Sequence, residues 1–271
     1  MATDSADKQA QILPLSIDEL LESESIDRIE NDMSHDYYVS GDWSMEFYMI
    51  QALRGFIAVG YETSSGQDLL LPQLQFSYCV VDFDRMHLKK SFHKFSNWRL
   101  RINHDLSTVL QRLSEYHHNS WLNSSYISLI HRLHSQGPMM ICDPIDKSRN
   151  LFHLCSIELY DSEDRLVAGE LGYVIGRTYT SLSGFCERMK KISVGRIQII
   201  ALAKTLEKFR FAFMNLGQPP VGNLMQYKGE IGGKVVNRSE FLKRWKCAVR
   251  EPPASPLSEF FSLNVSLGEL L

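Results

Sequence analysis

Between residues 85 and 101, Arg85, Lys89, Lys90, Lys94, Arg99 and Arg101 follow one another with no acidic residue between them. His87, His93, Phe92, Phe95 and Trp98 are interleaved with them. Cations of this kind make salt-sensitive contacts to phosphates, and aromatic rings offer stacking faces to unpaired bases. The same pattern also describes a solvated basic face over an aromatic core. Trp121 stands just before a helix signal that Ser124 or Asn123 would cap. It reads either as a hydrophobic staple or as a platform for a base.

Other chemistries find less support. His131 and His134 share a helix face, with no carboxylate or cysteine spaced to complete a metal site. The Ser-Leu-Ser-Gly-Phe-Cys stretch at 181–186 lacks the Gly-x-Ser-x-Gly frame of a nucleophile elbow. Gly195 and Arg196 open a helix, without the doubled-glycine turn that holds a coenzyme pyrophosphate. No metal and no cofactor is expected.

The elements that must position these residues alternate between α and β. A helix is expected from Asp42, as cap, to Gly55, and further helices over residues 106–117 and 124–135, from Gly195 to Phe209, and over Ser239–Trp245. Residues 76–83, 98–103 and 210–216 read as strands, and 136–152 as a surface loop. From His153 an apolar strand, a charged turn at Asp161–Asp164 and two further strands follow, with Gly169, Gly172 and Gly176 inside them. Interior glycines weaken strands and mark bulges or the close approach of another group. The sheet is therefore making room for something.

Charge divides unevenly along the 271 residues: residues 1–36 sum to −8 and residues 37–271 to +5. A mildly basic body under an acidic tail fits a polyanionic partner, and the tail is expected to screen the basic face. The five cysteines are odd in number, without a Cys-x-x-Cys pair, as in free thiols of a reducing compartment. Absence of a long apolar run or an Arg-rich leader makes cytoplasmic residence, with no membrane partner, the expectation.

Several segments, in order, resemble the leucyl/phenylalanyl-tRNA–protein transferase family over about residues 37–245. They are SGDWSMEFYMIQALRGF, LKKSFHKFSNWRLRIN, SWLNSSYISLIHRLHSQG, SIELYDSEDRLVAGELGYVIG and GGKVVNRSEFL. The resemblance implies an α+β protein with a GNAT-like acyltransferase fold and a smaller N-terminal α/β domain. The implied division is an acidic flexible tail at 1–34, an N-terminal domain at 35–103, an acyltransferase domain at 104–250 and a C-terminal tail at 251–271. It implies transfer of Leu, Phe or Met from aminoacyl-tRNA to a protein beginning with Arg or Lys, by a monomer, in N-degron tagging. On this reading the glycine-spaced sheet admits the aminoacyl end of the tRNA. Trp121 falls on the family's adenosine-stacking tryptophan, and Lys89, Lys90, Lys94, Arg99 and Arg101 on its tRNA-gripping segment.

The chain departs from the family at its carboxylates. Leu182 stands at the family's Glu position, and Phe213 and Asn215 stand at its Asp-x-Gln. Catalysis is then expected from positioning, with Asn215 and Ser183 polarising the reacting groups and Phe185 and Phe213 lining the substrate site. An α-amine of pKa near 8 is about one-tenth neutral at pH 7, which leaves positioning much of the task. Two alternatives stay open: an acyltransferase with another donor, and a non-catalytic protein that binds aminoacyl-tRNA or peptide.

Overall fold

Helices form where an apolar period near 3.6 follows a capping residue, and three of the caps carry the middle of the chain. In the computed structural model, which describes residues 12–86, 90–118, 121–220, 225–252 and 257–270, the first elements are β1 (Leu13–Pro14), α1 (Ile17–Leu21), α2 (Ser23–Asn31) and β2 (Tyr38–Val39). Next come α3 (Met45–Leu53), the hairpin β3 (Ile57–Glu62) and β4 (Asp68–Gln73), then β5 (Ser77–Val81) and β6 (Arg99–Ile102). Ser44 Oγ, and not Asp42, caps α3 by accepting the Phe47 N–H at 3.1 Å. Asp42 instead accepts the N–H of Ser44, one step outside the helix. α4 (Leu106–His117) is capped by Asp105 and α5 (Ser124–Ser135) by Asn123.

β7 (Met139–Cys142), β8 (Arg149–Tyr160), β9 (Leu166–Ile175) and β10 (Thr178–Cys186) follow, then α6 (Val194–Lys208) and β11 (Phe213–Asn215). The chain closes with α7 (Gln226–Glu230), β12 (Gly233–Asn237), α8 (Arg238–Arg250), α9 (Leu257–Phe261), β13 (Asn264–Ser266) and α10 (Leu267–Leu270). Nine strands form one mixed sheet in the order β12-β5-β11-β10-β9-β8-β6-β13, with β7 paired to β8 off this path. The protein is thus α+β, as expected, and the sheet contains a parallel β10–β11 pair among antiparallel neighbours. β5 and β6, from the chain before Asn103, are members of this same sheet.

Both faces of the sheet are covered, which is why β9 reads as a nearly unbroken apolar run and β8 is buried along most of its length, its polar residues included. Leu171, Tyr173 and Ile175 point to a core shared with α3, α4, α5 and α8. Ala168 and Val174 point to a second core filled by Ile197, Ile200 and Leu206 of α6.

Three sequence expectations are corrected here. Residues 136–152 are not all loop: Met139–Cys142 and Arg149–Phe152 pair as β7 and the start of β8. Residues 12–34 are not a loose tail. Leu20, Ile26 and Ile29 are buried, and a Ser16–Glu19 capping box starts α1; residues 1–11 lie outside the described residues. Beyond residue 256 the chain is structured, with β13 pairing to β6.

The interior glycines make room for the protein itself rather than for a guest. A β-carbon at Gly169 would collide with the Phe185 ring, one at Gly172 with the Tyr179 hydroxyl, and one at Gly176 with the Val249 backbone. Gly176 also holds a φ of +52° in the tight β9–β10 turn.

Candidate active site

A cavity opens where two strands part. β10 pairs with β11 only from Thr178 to Thr180, then runs on to Cys186 with β9 as its sole strand partner. A register shift between Ser181 and Ser183 bends β10 at that point. The resulting cavity, about 400 Å³, is bounded across the gap by Leu216, Met225, Tyr227 and Lys228. Its floor consists of buried Glu170, Phe185, Gln198, Leu216 and Lys228. Exposed Tyr116, His117, Gly184 and Ser193 frame its rim.

Glu170 is the chemically unusual member. Even-numbered positions of β9 face α6, so Glu170 points inward between Ala168 and Gly172 and is only 3% exposed. The Tyr179 hydroxyl donates to its Oε1 at 2.9 Å. Burial pushes its pKa up to about 7, against hydrogen bonds from Tyr179 and Ser181 and the nearby Lys228 charge, which pull it down.

Lys228 faces the same cavity from α7. Its Nζ donates to the carbonyls of Leu216 at 2.8 Å and Gln218 at 2.7 Å. Burial lowers its pKa, opposed by Cys79 and Glu170. Tyr227 beside it is raised to about 12, chiefly by burial. On the rim, the Ser183 hydroxyl lies 2.9 Å from His117 Nε2, and the same nitrogen is 3.2 Å from the Gly184 carbonyl. α6 begins at the cavity with no side chain capping it, because the Ser193 hydroxyl makes no such bond.

Of the residues singled out from the sequence, Ser183 and Phe185 line the cavity; Trp121, Phe213 and Asn215 are not among its lining residues. Asn215 is buried at the end of the parallel pair, its Oδ1 accepting the Gly217 N–H at 2.9 Å and its Nδ2 reaching Thr180. Phe213 packs near Phe241 and Trp245, under the Arg244 guanidinium. Trp121 is half-buried, its ring edge-on to Tyr126 at 5.0 Å and its carbonyl accepting the Gly60 N–H.

In the basic segment, Lys94 is exposed. Lys89 and the side chain of Lys90 lie outside the described residues. Arg99 donates to Asn264, and Arg101 is ion-paired with Asp164 at 2.5 Å while stacked over Tyr160. Arg196, the cation considered for a pyrophosphate, is ion-paired with Glu230. His134 stacks on His153, whose pKa burial lowers to about 4.

Sequence reasoning missed Glu170 and Lys228. The signal for Glu170 was present: LVAGELGYVI is apolar on both faces, so its one carboxylate had to be buried. Nothing in the local sequence marks Lys228.

A family model for leucyl/phenylalanyl-tRNA protein transferase matches residues 80–246, more than half of the chain. That span contains every residue lining the cavity. No curated protein matches the sequence. Among solved structures, that of L-PGS from Bacillus licheniformis is similar at 9% identity and a TM-score of 0.33. The match covers 65% of each chain, so this chain spans less than two thirds of that one. Among the described residues, no helix is long and apolar enough to cross a membrane.

Proposed function

The chain belongs to the leucyl/phenylalanyl-tRNA protein transferase family, and from that premise we propose that it moves Leu, Phe or Met from aminoacyl-tRNA to the N-terminus of a protein beginning with Arg or Lys. Such a reaction would tag the acceptor for degradation and would take place in the cytoplasm. The observation that carries this reading is the cavity where β10 outruns β11, within the span that the family matches.

The uncatalysed difficulty is to bring a neutral amine within attack distance of an ester carbonyl and to stabilise the oxyanion that forms. The apolar part of the floor, Phe185 and Leu216, suits a large aminoacyl side chain. At the rim, Ser183 with His117 can hydrogen-bond the ester or the ribose. Lys90, Lys94 and Arg99 would hold tRNA phosphates, and Trp121 the terminal base. Arg101, committed to Asp164, would contribute less. Asn215, opposite Thr180, and Phe213, opposite Thr178, would support this site from behind, at the two ends of the parallel pair.

The test is direct. Purified protein is mixed with radiolabelled Leu-, Phe- or Met-tRNA and a peptide beginning with Arg, and label is sought in the peptide. Transfer that falls at least tenfold in Ser183→Ala supports the reading. Binding of charged tRNA without any transfer would replace it with that of a binding protein on an acyltransferase fold.

A further inference from the structure

We propose that Glu170 forms a binding site for a primary amine, the α-amine of the acceptor peptide, and takes the proton that the ammonium must lose. The amine site stands on the geometry of the cavity floor; the transfer step rests in addition on the function proposed above.

Among the described residues, Glu170 is the one carboxylate lining the cavity. Leu182 and Phe213 offer none, so any cationic group that enters has a single anionic partner at the floor. Its position is fixed from several sides. Gly172 leaves the space into which Tyr179 projects, and Tyr179 then holds Oε1. Lys228, fastened to two carbonyls on the opposite wall, keeps the floor close to neutral overall when Glu170 is ionised.

Other titratable groups surround the cavity that this carboxyl lines. Tyr179 on β10 and Lys228 on α7 act on it directly and it acts on Tyr227, while Tyr116 and His117 on α4, Cys186 at the end of β10 and Arg196 on α6 line the same cavity. Arg196 is neutralised by Glu230. Burial dominates, so the carboxyl gains and loses its proton near pH 7. An α-ammonium with pKa near 8 lies about one unit above that, a small gap for proton transfer.

The step balances as follows. Glu170 accepts one proton from the ammonium, and the freed nitrogen attacks the ester carbon. A C–N bond forms and the C–O bond to the terminal ribose breaks. The nitrogen's second proton goes to the departing ribose oxygen, and Glu170 releases its proton to solvent.

The experiment uses the full chain, Glu170→Gln and Glu170→Asp. Gln preserves the size of the side chain and can accept from Tyr179; circular dichroism and melting check that each variant folds. One arm measures binding of a peptide beginning with Arg, with its α-amine free or acetylated. Wild type should prefer the free amine by about tenfold or more, the range of a charge-assisted bond. Glu170→Gln should erase that preference, and Glu170→Asp should keep part of it. The other arm measures single-turnover transfer from Phe-tRNA between pH 6 and 9. Glu170→Gln should lose about a hundredfold in rate while KM for the charged tRNA holds.

Equal discrimination of the two peptides by wild type and Glu170→Gln overturns the proposal, as does a wild type that does not discriminate. Wild-type transfer with an unaffected Glu170→Gln removes Glu170 and leaves the function. Amine selectivity lost in Glu170→Gln, in a protein that transfers nothing, leaves the site and removes the function.

Discussion

Gly172 and Tyr179 occupy one space: the Tyr179 hydroxyl sits where a β-carbon on residue 172 would have to be. Two strands of one hairpin thereby aim a phenol at Glu170. Gly172→Ala should force Tyr179 aside and cost about 1–3 kcal/mol by overpacking. Urea denaturation measures this, and Tyr179→Phe in the same chain should recover little of the loss, because the ring carbon that carried the hydroxyl and, at 2.6 Å, the Thr180 carbonyl still meet the added methyl.

Glu170 also makes stability depend on pH. Its folded pKa, about 7, lies above its ordinary value of 4.5. Between those values the folded state holds the proton and the unfolded state does not, so this group's contribution worsens as pH rises through that window. The penalty is absent below pH 4.5 and complete above pH 7, at about 3 kcal/mol. Glu170→Gln should therefore gain stability over wild type as pH rises from 5 to 8, read from denaturation midpoints. A constant difference between the two proteins across that range would contradict the assignment.

Arg54 and Asp143 form a buried, two-point ion pair, with nitrogen–oxygen distances of 2.6 and 2.8 Å. The pair ties α3 to the turn between β7 and β8, and Arg54 also donates to the Leu20 carbonyl on α1. Asp143→Asn leaves a buried guanidinium without its counter-charge and should cost about 3–5 kcal/mol. Replacing both residues by apolar ones of similar volume should cost less, which a thermal melt of each variant would show.

Lys94 is exposed in the basic segment, so its role can be separated from folding. Lys94→Ala should weaken tRNA binding similarly for every tRNA and reduce the slope of log K against log salt by about one. An unchanged slope would place the phosphate contacts elsewhere on the molecule.

Arg238 is buried and reaches backward through the chain, donating to the carbonyls of Asp32, His35, Leu74 and Gln75. Lys246 of α8 pairs with Glu30. Deleting residues 1–34 should therefore lower the melting temperature sharply, because it strips Leu20, Ile26 and Ile29 from the core as well as removing acid. A screening effect of the acidic segment on tRNA binding is best sought by neutralising its exposed acids, as in Asp18→Asn with Glu24→Gln and Asp27→Asn, which leaves the buried residues in place.

Local patterns carried much of the architecture. α4 and α5 lie where caps and apolar spacing put them, and Leu106–His117 matches its expected span. The acidic N-terminus misled because charge describes only its outer face, while Leu20, Ile26 and Ile29 on the inner face are buried. β7 was hidden in a stretch of turn formers, since Met139–Cys142 is stabilised by pairing with distant residues of β8 rather than by its own alternation. The site was legible only in part. Ser183 and Phe185 could be named from a motif, but the meeting of Ser183 with His117 joins positions 66 apart, and Lys228 comes from a helix of five residues. Asn215 was identified by position in a motif, which says nothing about the Gly217 N–H that occupies its side chain.

The order of strands sets a timetable for synthesis. β8, β9 and β10 can pair as soon as they emerge, since each meets its neighbour across a short turn. Yet β5 must wait for β11 and β12, and the outer edge of β6 waits for β13 at Asn264–Ser266, far later in the chain. On the ribosome, the nascent chain therefore presents open strand edges long after β8, β9 and β10 have paired. A chain cut before Asn264 would leave the edge of β6 uncovered, a natural client for chaperones and a ready seed for aggregation.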